Sequence, residues 1–128
     1  MPPKRSLIVT IGAWLTGVGL ILLGLQCLVY PGAADGYGVS PLDANGTAFL
    51  LATGMRDFVL GLVTIYLLLR HRATLPIFFL IMIILPLADT LIVLKYGTQL
   101  IGILPHVVGI VGLSVIAWFA FHEQSAQR

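Results

Sequence analysis

The sequence predicts an all-α fold, a bundle of four transmembrane helices with both termini on the same side. Three observations carry this. Only 9% of the 128 residues are charged and 59% are hydrophobic, whereas a soluble domain has roughly a quarter of its residues charged. Mean hydropathy is +1.04. Four apolar stretches, Leu7 to Tyr30, Thr47 to Leu69, Leu75 to Leu94 and Gln99 to Phe121, each supply the about 20 residues that one crossing requires. These spans use most of the chain, so a single domain over residues 1–128 is expected.

The first span follows Lys4 and Arg5 as a secretion signal would. Its uncharged core is longer than the about 7–15 residues of a signal peptide, so we expect it to be retained. Pro31, Gly32, Gly36, Gly38, Pro41 and Gly46 mark the connection to the second span. That connection exceeds the usual about 2–8 residues between bundle helices, long enough to fold over the bundle end. Asn45-Gly46-Thr47 matches a glycosylation acceptor. Because it abuts the second helix, a capping role for Asn45 is favoured. Arg70 to Thr74 form the second connection and Gly97 marks the third. Pro76 falls in the first turn of the third span, where a missing N–H costs little. Pro86 and Pro105 lie within spans and are expected to bend them.

Lys4, Arg5, Arg70, Arg72 and Arg128 fall at one end of the bundle and only Lys95 at the other. The positive-inside rule therefore predicts cytoplasmic termini and a lumenal or external first connection. Gly12 and Gly19, Gly17 and Gly24, Gly54 and Gly61, and Gly102 and Gly109 are spaced by seven. Each pair shares a helical face, which predicts close helix contacts. The net charge of +2 rests on seven Lys/Arg against five Asp/Glu, too few for a nucleic-acid surface. Cys27 is the one cysteine, which excludes an internal disulfide and a Cys-x-x-Cys redox pair.

Arg56, Asp57 and Asp89 are the charges inside predicted spans. Each costs about 2.5–3.5 kcal/mol at the centre of a crossing, against about 0.3–0.6 recovered per large aliphatic or Phe residue. The second helix is therefore close to break-even and must turn Arg56 and Asp57 towards protein or enclosed water. At 1.5 Å rise per residue, Arg56 and Asp57 lie about 13–15 Å from the first-connection end. Asp89 lies about 8 Å from it, His106 about 10 Å and Gln26 about 6 Å. A polar layer in that half, opening towards the first connection, is the expected cavity. Gly54, Asp57 and Gly61 share a face, with Thr53 one turn before Asp57, and Gly102, His106 and Gly109 share another. Arg56 points about 100° away from Asp57, which makes Asp89 its better partner.

A buried Arg–Asp pair can simply fix helix register, and a buried His can bond a backbone carbonyl. Two carboxylates, an arginine and a histidine in one layer fit acid–base chemistry better. One arginine balances one carboxylate, and the other is expected to hold a proton, placing an acid beside a base. Metal binding is disfavoured by Arg56 in the same layer and by the position of His71 and His122 at the opposite end.

The segment Gly54-Met55-Arg56-Asp57, followed by Leu60-Gly61, resembles small four-helix membrane proteins of fungi and bacteria with Gly-x-Arg-Asp in the second helix. Among these it is similar to membrane-bound epoxide hydrolases of fungal polyketide pathways. The resemblance implies hydrolytic or cyclising opening of an epoxide made by a flavin monooxygenase, the functional partner it suggests. It implies a membrane location in the endoplasmic reticulum of a fungus or the inner membrane of a bacterium.

The residue types suit that chemistry, which needs one acid at the departing oxygen and one base at water or an internal hydroxyl. Asp57 and Asp89 are the candidate acid and base, with their order left open. Arg56 holds one of them, and His106 positions water or substrate. Gln26, Tyr37 and Thr53 are candidate substrate contacts for a lipophilic molecule arriving from the lipid or under the first connection. No cofactor is called for, and a homo-oligomer is compatible with the glycine faces. A small proton-coupled exporter is the main rival, although four-helix exporters place a glutamate in the first helix, where this chain has only Gln26. A non-catalytic membrane subunit is the third reading.

Overall fold

A computed structural model of the chain describes residues 6–32, 44–97 and 100–126. These contain four helical segments long and apolar enough to cross a membrane, and no strand among the described residues. The first crossing is α1, Leu7–Val29, and the second is α2, Ala44–Arg70. The third begins with a 3-10 turn, Arg72–Thr74, and continues through α3, Leu75–Met82, and α4, Ile84–Tyr96. A 3-10 turn, Leu100–Gly102, leads into α5, Ile103–Ser125, the fourth. Large hydrophobic side chains stand exposed on every crossing. A helix that is apolar on its outer face is stable in lipid.

Local chemistry sets the helix boundaries. Ser6 caps α1, its hydroxyl accepting the Val9 N–H at 3.4 Å, and Pro31 follows the end of that helix. α2 starts at Ala44, so Asn45 lies inside its first turn and is not the cap expected from the sequence. Pro76 sits in the first turn of α3, where its missing N–H was unpaired in any case. Pro86 cannot donate to Met82, and its ring crowds that carbonyl. The helix accordingly breaks at Ile83, with bonds of 3.3 Å from Ile83 N–H to Phe79 and from Leu87 N–H to Ile83. Pro105, expected to bend the fourth crossing, instead lies in the first turn of α5, which begins at Ile103 after a 3-10 turn. There is little helix ahead of it to bend.

Packing divides the molecule into two helical pairs. α1 and α2 share the most extensive contact, and α5 packs along both α3 and α4. The α1–α2 seam is built on glycine. A Cβ on Gly24 would lie 2.6 Å from the Gly54 carbonyl oxygen, and one on Gly61 would lie 2.6 Å from that of Gly17. Gly17 therefore faces Gly61, and Gly24 faces Gly54, as antiparallel helices require when both repeat at seven residues. Gly12 lies against Ile116 of α5, whereas a Cβ on Gly19 would meet nothing within 4 Å. The expected Gly12 and Gly19 face is thus used at one position only. Gly109 rests against Pro86 at ordinary van der Waals distance.

The main apolar core lies at the end that carries the termini. Val9, Ala13, Leu68, Leu75, Phe79, Met82, Leu113, Ala117 and Ala120 form it, drawing on both pairs. Around its rim, Arg72 donates to Glu123 at 2.6 and 2.9 Å, to Thr10 Oγ1 at 2.9 Å and to the Ser6 carbonyl at 3.0 Å. The Ser6 N–H donates to Glu123 at 2.9 Å. This clasp ties α1, the second connection and α5 together.

Candidate functional site

The opposite half of the bundle has a different interior. Cys27 and Leu50 form its buried apolar cluster, with Phe49 against it, all on α1 and α2. An ion pair crosses there from one helical pair to the other. Arg56 extends from α2 and donates through Nη1 and Nη2 to Asp89 of α4 at 3.0 and 2.9 Å. Its Nε donates to Asp57 Oδ1 at 3.0 Å. A planar guanidinium allows this, because its five N–H groups form two forks at fixed angles. The sequence directed Arg56 to Asp89 and treated Asp57 as turned away from it. The structure keeps the Asp89 pair and adds the Asp57 bond, since the long side chain swings back across its neighbour.

Asp57 and Asp89 are buried, and the Arg56 side chain keeps 30% of its surface open. Gly54 and Gly61 place Asp57 at the seam by letting α1 approach α2. The break at Ile83 and the Thr90 hydroxyl bond to the Pro86 carbonyl at 2.7 Å precede and follow the turn that presents Asp89. His106 comes from the first turn of α5, also buried. Its Nδ1 is 3.9 Å from Asp89 Oδ2, longer than a hydrogen bond and near the span that one bridging water covers.

A cavity of about 10 Å³ lies beside this gap, lined by Phe49, Thr53, Asp89, Val93 and His106. Such a volume holds about one water molecule, which needs two to four polar partners. Thr53, Asp89 and His106 are the polar residues of its lining, and Phe49 and Val93 the apolar ones. A lipophilic substrate does not fit in it.

The structure therefore brings together Arg56, Asp57, Asp89 and His106, and it places Thr53 on the cavity wall. Gln26 is exposed on α1, and buried Cys27 takes the inward position beside it. The buried polar residues described in the layer come from α2, α4 and α5. Tyr37 lies outside the described residues. Sequence reasoning missed the Arg72 and Glu123 clasp, because both residues lie near span ends where charge is ordinary. It also passed over Phe49 and Val93, which as apolar residues in apolar helices carry no signal.

The profile of a family described as a domain of unknown function, DUF4267, matches residues 3–120. The chain belongs to the DUF4267 family. The match takes in Arg56, Asp57, Asp89 and His106, so the polar layer lies within the DUF4267 domain. Comparison with curated proteins and with solved structures gives no match in either. Among the described residues, no group of three or more His, Cys, Asp or Glu side chains could hold a metal ion. In this DUF4267 chain the guanidinium of Arg56 engages both oxygens of Asp89 and Oδ1 of Asp57.

Proposed function

We propose that this DUF4267 protein is an integral membrane enzyme that opens a lipophilic epoxide by acid–base catalysis, giving a diol or a cyclic ether. The observation that carries the reading is one arginine held between two buried carboxylates, beside a water-sized cavity. With both aspartates ionised and His106 neutral, the set carries one negative charge more than Arg56 balances. One proton on the set makes it neutral, the form favoured in low dielectric.

Two features of the geometry support a division of roles. Both Asp89 oxygens accept from Arg56, and Asp89 also lines the cavity with Thr53 and His106. Asp89 is the base, and Thr53 and His106 position its water. Asp57 accepts from Arg56 through Oδ1, which leaves Oδ2 to carry the proton. In the reaction the Asp57 proton passes to the epoxide oxygen as its C–O bond breaks. The water oxygen bonds to the same carbon from the opposite side and gives its proton to Asp89. Proton return from Asp89 to Asp57 through water resets the pair. Arg56 fixes the spacing of the two groups, which is its share of preorganisation.

The basic residues at the terminal end support cytoplasmic termini as part of the same proposal. The reaction tests directly. Microsomes carrying the wild-type chain are given a panel of lipophilic epoxides and compared with Asp57→Asn, Asp89→Asn and Arg56→Ala at matched inserted levels. Diol or cyclic ether is expected from the wild type and from none of the variants. No turnover of any epoxide by the wild type would reject the enzyme. A second reading, a non-catalytic membrane subunit, is favoured by one observation: Arg56 ties the two helical pairs in the half where the buried apolar cluster of the described residues belongs to one pair alone.

A further inference from the structure

The terminal end of the bundle carries a charged surface that the polar layer does not use. In the sequence, Lys4, Arg5, Arg70, Arg72 and Arg128 gather at this end against Glu123, whereas at the other end Asp35 and Asp43 stand against Lys95. Among the described residues, Glu123 is the one carboxylate at the terminal end, and it accepts from Arg72 and from the Ser6 N–H. Arg70 closes α2, is exposed, and has no ion pair among the described residues. The charge of Arg72 is therefore balanced inside the protein, and that of Arg70 faces outward.

Exposed aromatic rings give the depth of this surface. Tyr66 lies one turn before Arg70, with its hydroxyl 3.2 Å from His71 Nε2. On α5, Trp118 stacks with the exposed ring of His122 at 4.0 Å, and His122 Nδ1 is 3.0 Å from the Trp118 carbonyl oxygen. Both aromatic rings are exposed. Tyr66 stops about 6 Å short of Arg70 along its helix, and Trp118 about 8 Å short of Glu123. Exposed Tyr and Trp rings are most stable where acyl chains give way to headgroups. One turn farther out, Arg70 stands at the level of the lipid phosphates, with its stem along the apolar boundary.

We infer that this end of the protein binds anionic phospholipid, with Arg70 on the phosphate and the face of Leu62, Tyr66 and Leu69 against the acyl chains. These three side chains are exposed on α2, and with Arg70 they follow the helical repeat, so one lipid meets charge and apolar surface together. A guanidinium forks two N–H groups to a phosphate, which suits Arg70 to the headgroup. The lipid is net negative, because a zwitterionic headgroup brings its own cation to an end already rich in them. Arg70 lies about 21 Å along α2 from Arg56, which makes this binding separate from the epoxide reaction.

Quenching of tryptophan by lipids with dibrominated acyl chains, on the full chain in nanodiscs, tests the binding. Trp14→Phe with Trp118→Phe removes both native tryptophans. Leu62→Trp then reports on lipid beneath Arg70, and Leu25→Trp, also at an exposed position, on lipid at the other end. Brominated phosphatidylglycerol is compared with brominated phosphatidylcholine. A preference for phosphatidylglycerol of about fivefold is expected from the Leu62→Trp reporter, the effect of one basic residue at an anionic surface, and a ratio near unity from Leu25→Trp. Arg70→Gln should bring the first ratio towards unity, and Arg70→Lys, which keeps the charge, should retain most of it. Equal ratios at the two positions, or a Leu62→Trp ratio that Arg70→Gln leaves unchanged, would overturn the inference. Ratios of unity at both would leave this end to an acidic protein segment. A preference abolished by inorganic phosphate at constant ionic strength would assign a free anion and reject the lipid.

Discussion

Arg56 lies between Asp57 and Asp89, its Nη2 within 2.9 Å of both carboxylates, so its removal would leave two buried carboxylates without their shared cation. Arg56→Ala is expected to destabilise the protein by about 3–5 kcal/mol, the usual cost of uncovering a buried ion pair. Thermal unfolding in detergent reads it. Replacing the whole set, Arg56→Met with Asp57→Leu and Asp89→Leu, should recover most of that stability, because apolar groups of similar volume serve as well in an interior. The triple variant should still give no diol. A stable and active triple variant would show that these residues only hold helices together. At this scale the charges were legible, since an ionised group in an apolar run is costly enough to demand a reason. Their geometry was not, because the reach of Arg56 back to Asp57 depends on side-chain torsions that sequence spacing does not contain.

Among the helices, glycine and proline set the distances on which the site depends. Gly24→Ala and Gly61→Ala each drive a Cβ to 2.6 Å from the backbone of the facing helix. Backbone cannot yield as a side-chain tip can, so each should cost about 1–3 kcal/mol. Gly19→Ala and Gly112→Ala, with nothing within 4 Å, should be neutral or gain about 0.5–1 kcal/mol from the lower helix cost of alanine. Unfolding midpoints of the four variants, measured side by side, check the contrast. Pro86→Ala supplies an N–H at position 86 that can donate to the Met82 carbonyl, and it should let α3 and α4 join. That rotates Asp89 relative to Arg56, so turnover is expected to fall more than stability does. The seven-residue glycine spacing was readable as helix faces. Which face met which helix was not: Gly12 and Gly19 have the same spacing as Gly17 and Gly24, yet only one of that first pair is used.

Across the whole molecule, the two ends of the bundle do different work. Glu123 accepts from Arg72 and from the Ser6 N–H, so Glu123→Gln should loosen the clasped end and lower the unfolding temperature. Because the clasp is remote from the polar layer, epoxide turnover below the unfolding transition should stay close to wild type. A variant with wild-type stability would show that these contacts add little to the joining of the helices at that end. The asymmetry also explains how a chain that lies almost entirely in apolar helices can hold a polar interior: the core that joins the pairs is confined to one half, which frees the other.

Composition and hydropathy determined the four crossings, because the penalty for unpaired backbone in lipid leaves an apolar stretch of that length little choice but a helix. The cost of charge in such helices likewise marked Arg56, Asp57 and Asp89, and helical periodicity turned His106 inward. Tertiary structure alone decided that α1 pairs with α2 through Gly17, Gly24, Gly54 and Gly61. It also decided that Arg56 joins both carboxylates and that a small space lined by Phe49, Thr53, Asp89, Val93 and His106 remains beside them. Those outcomes depend on which faces of separate helices meet, and at what depth. Contacts between residues far apart in the chain follow from the packing of all the helices together, which the periodicity of each one taken singly does not specify.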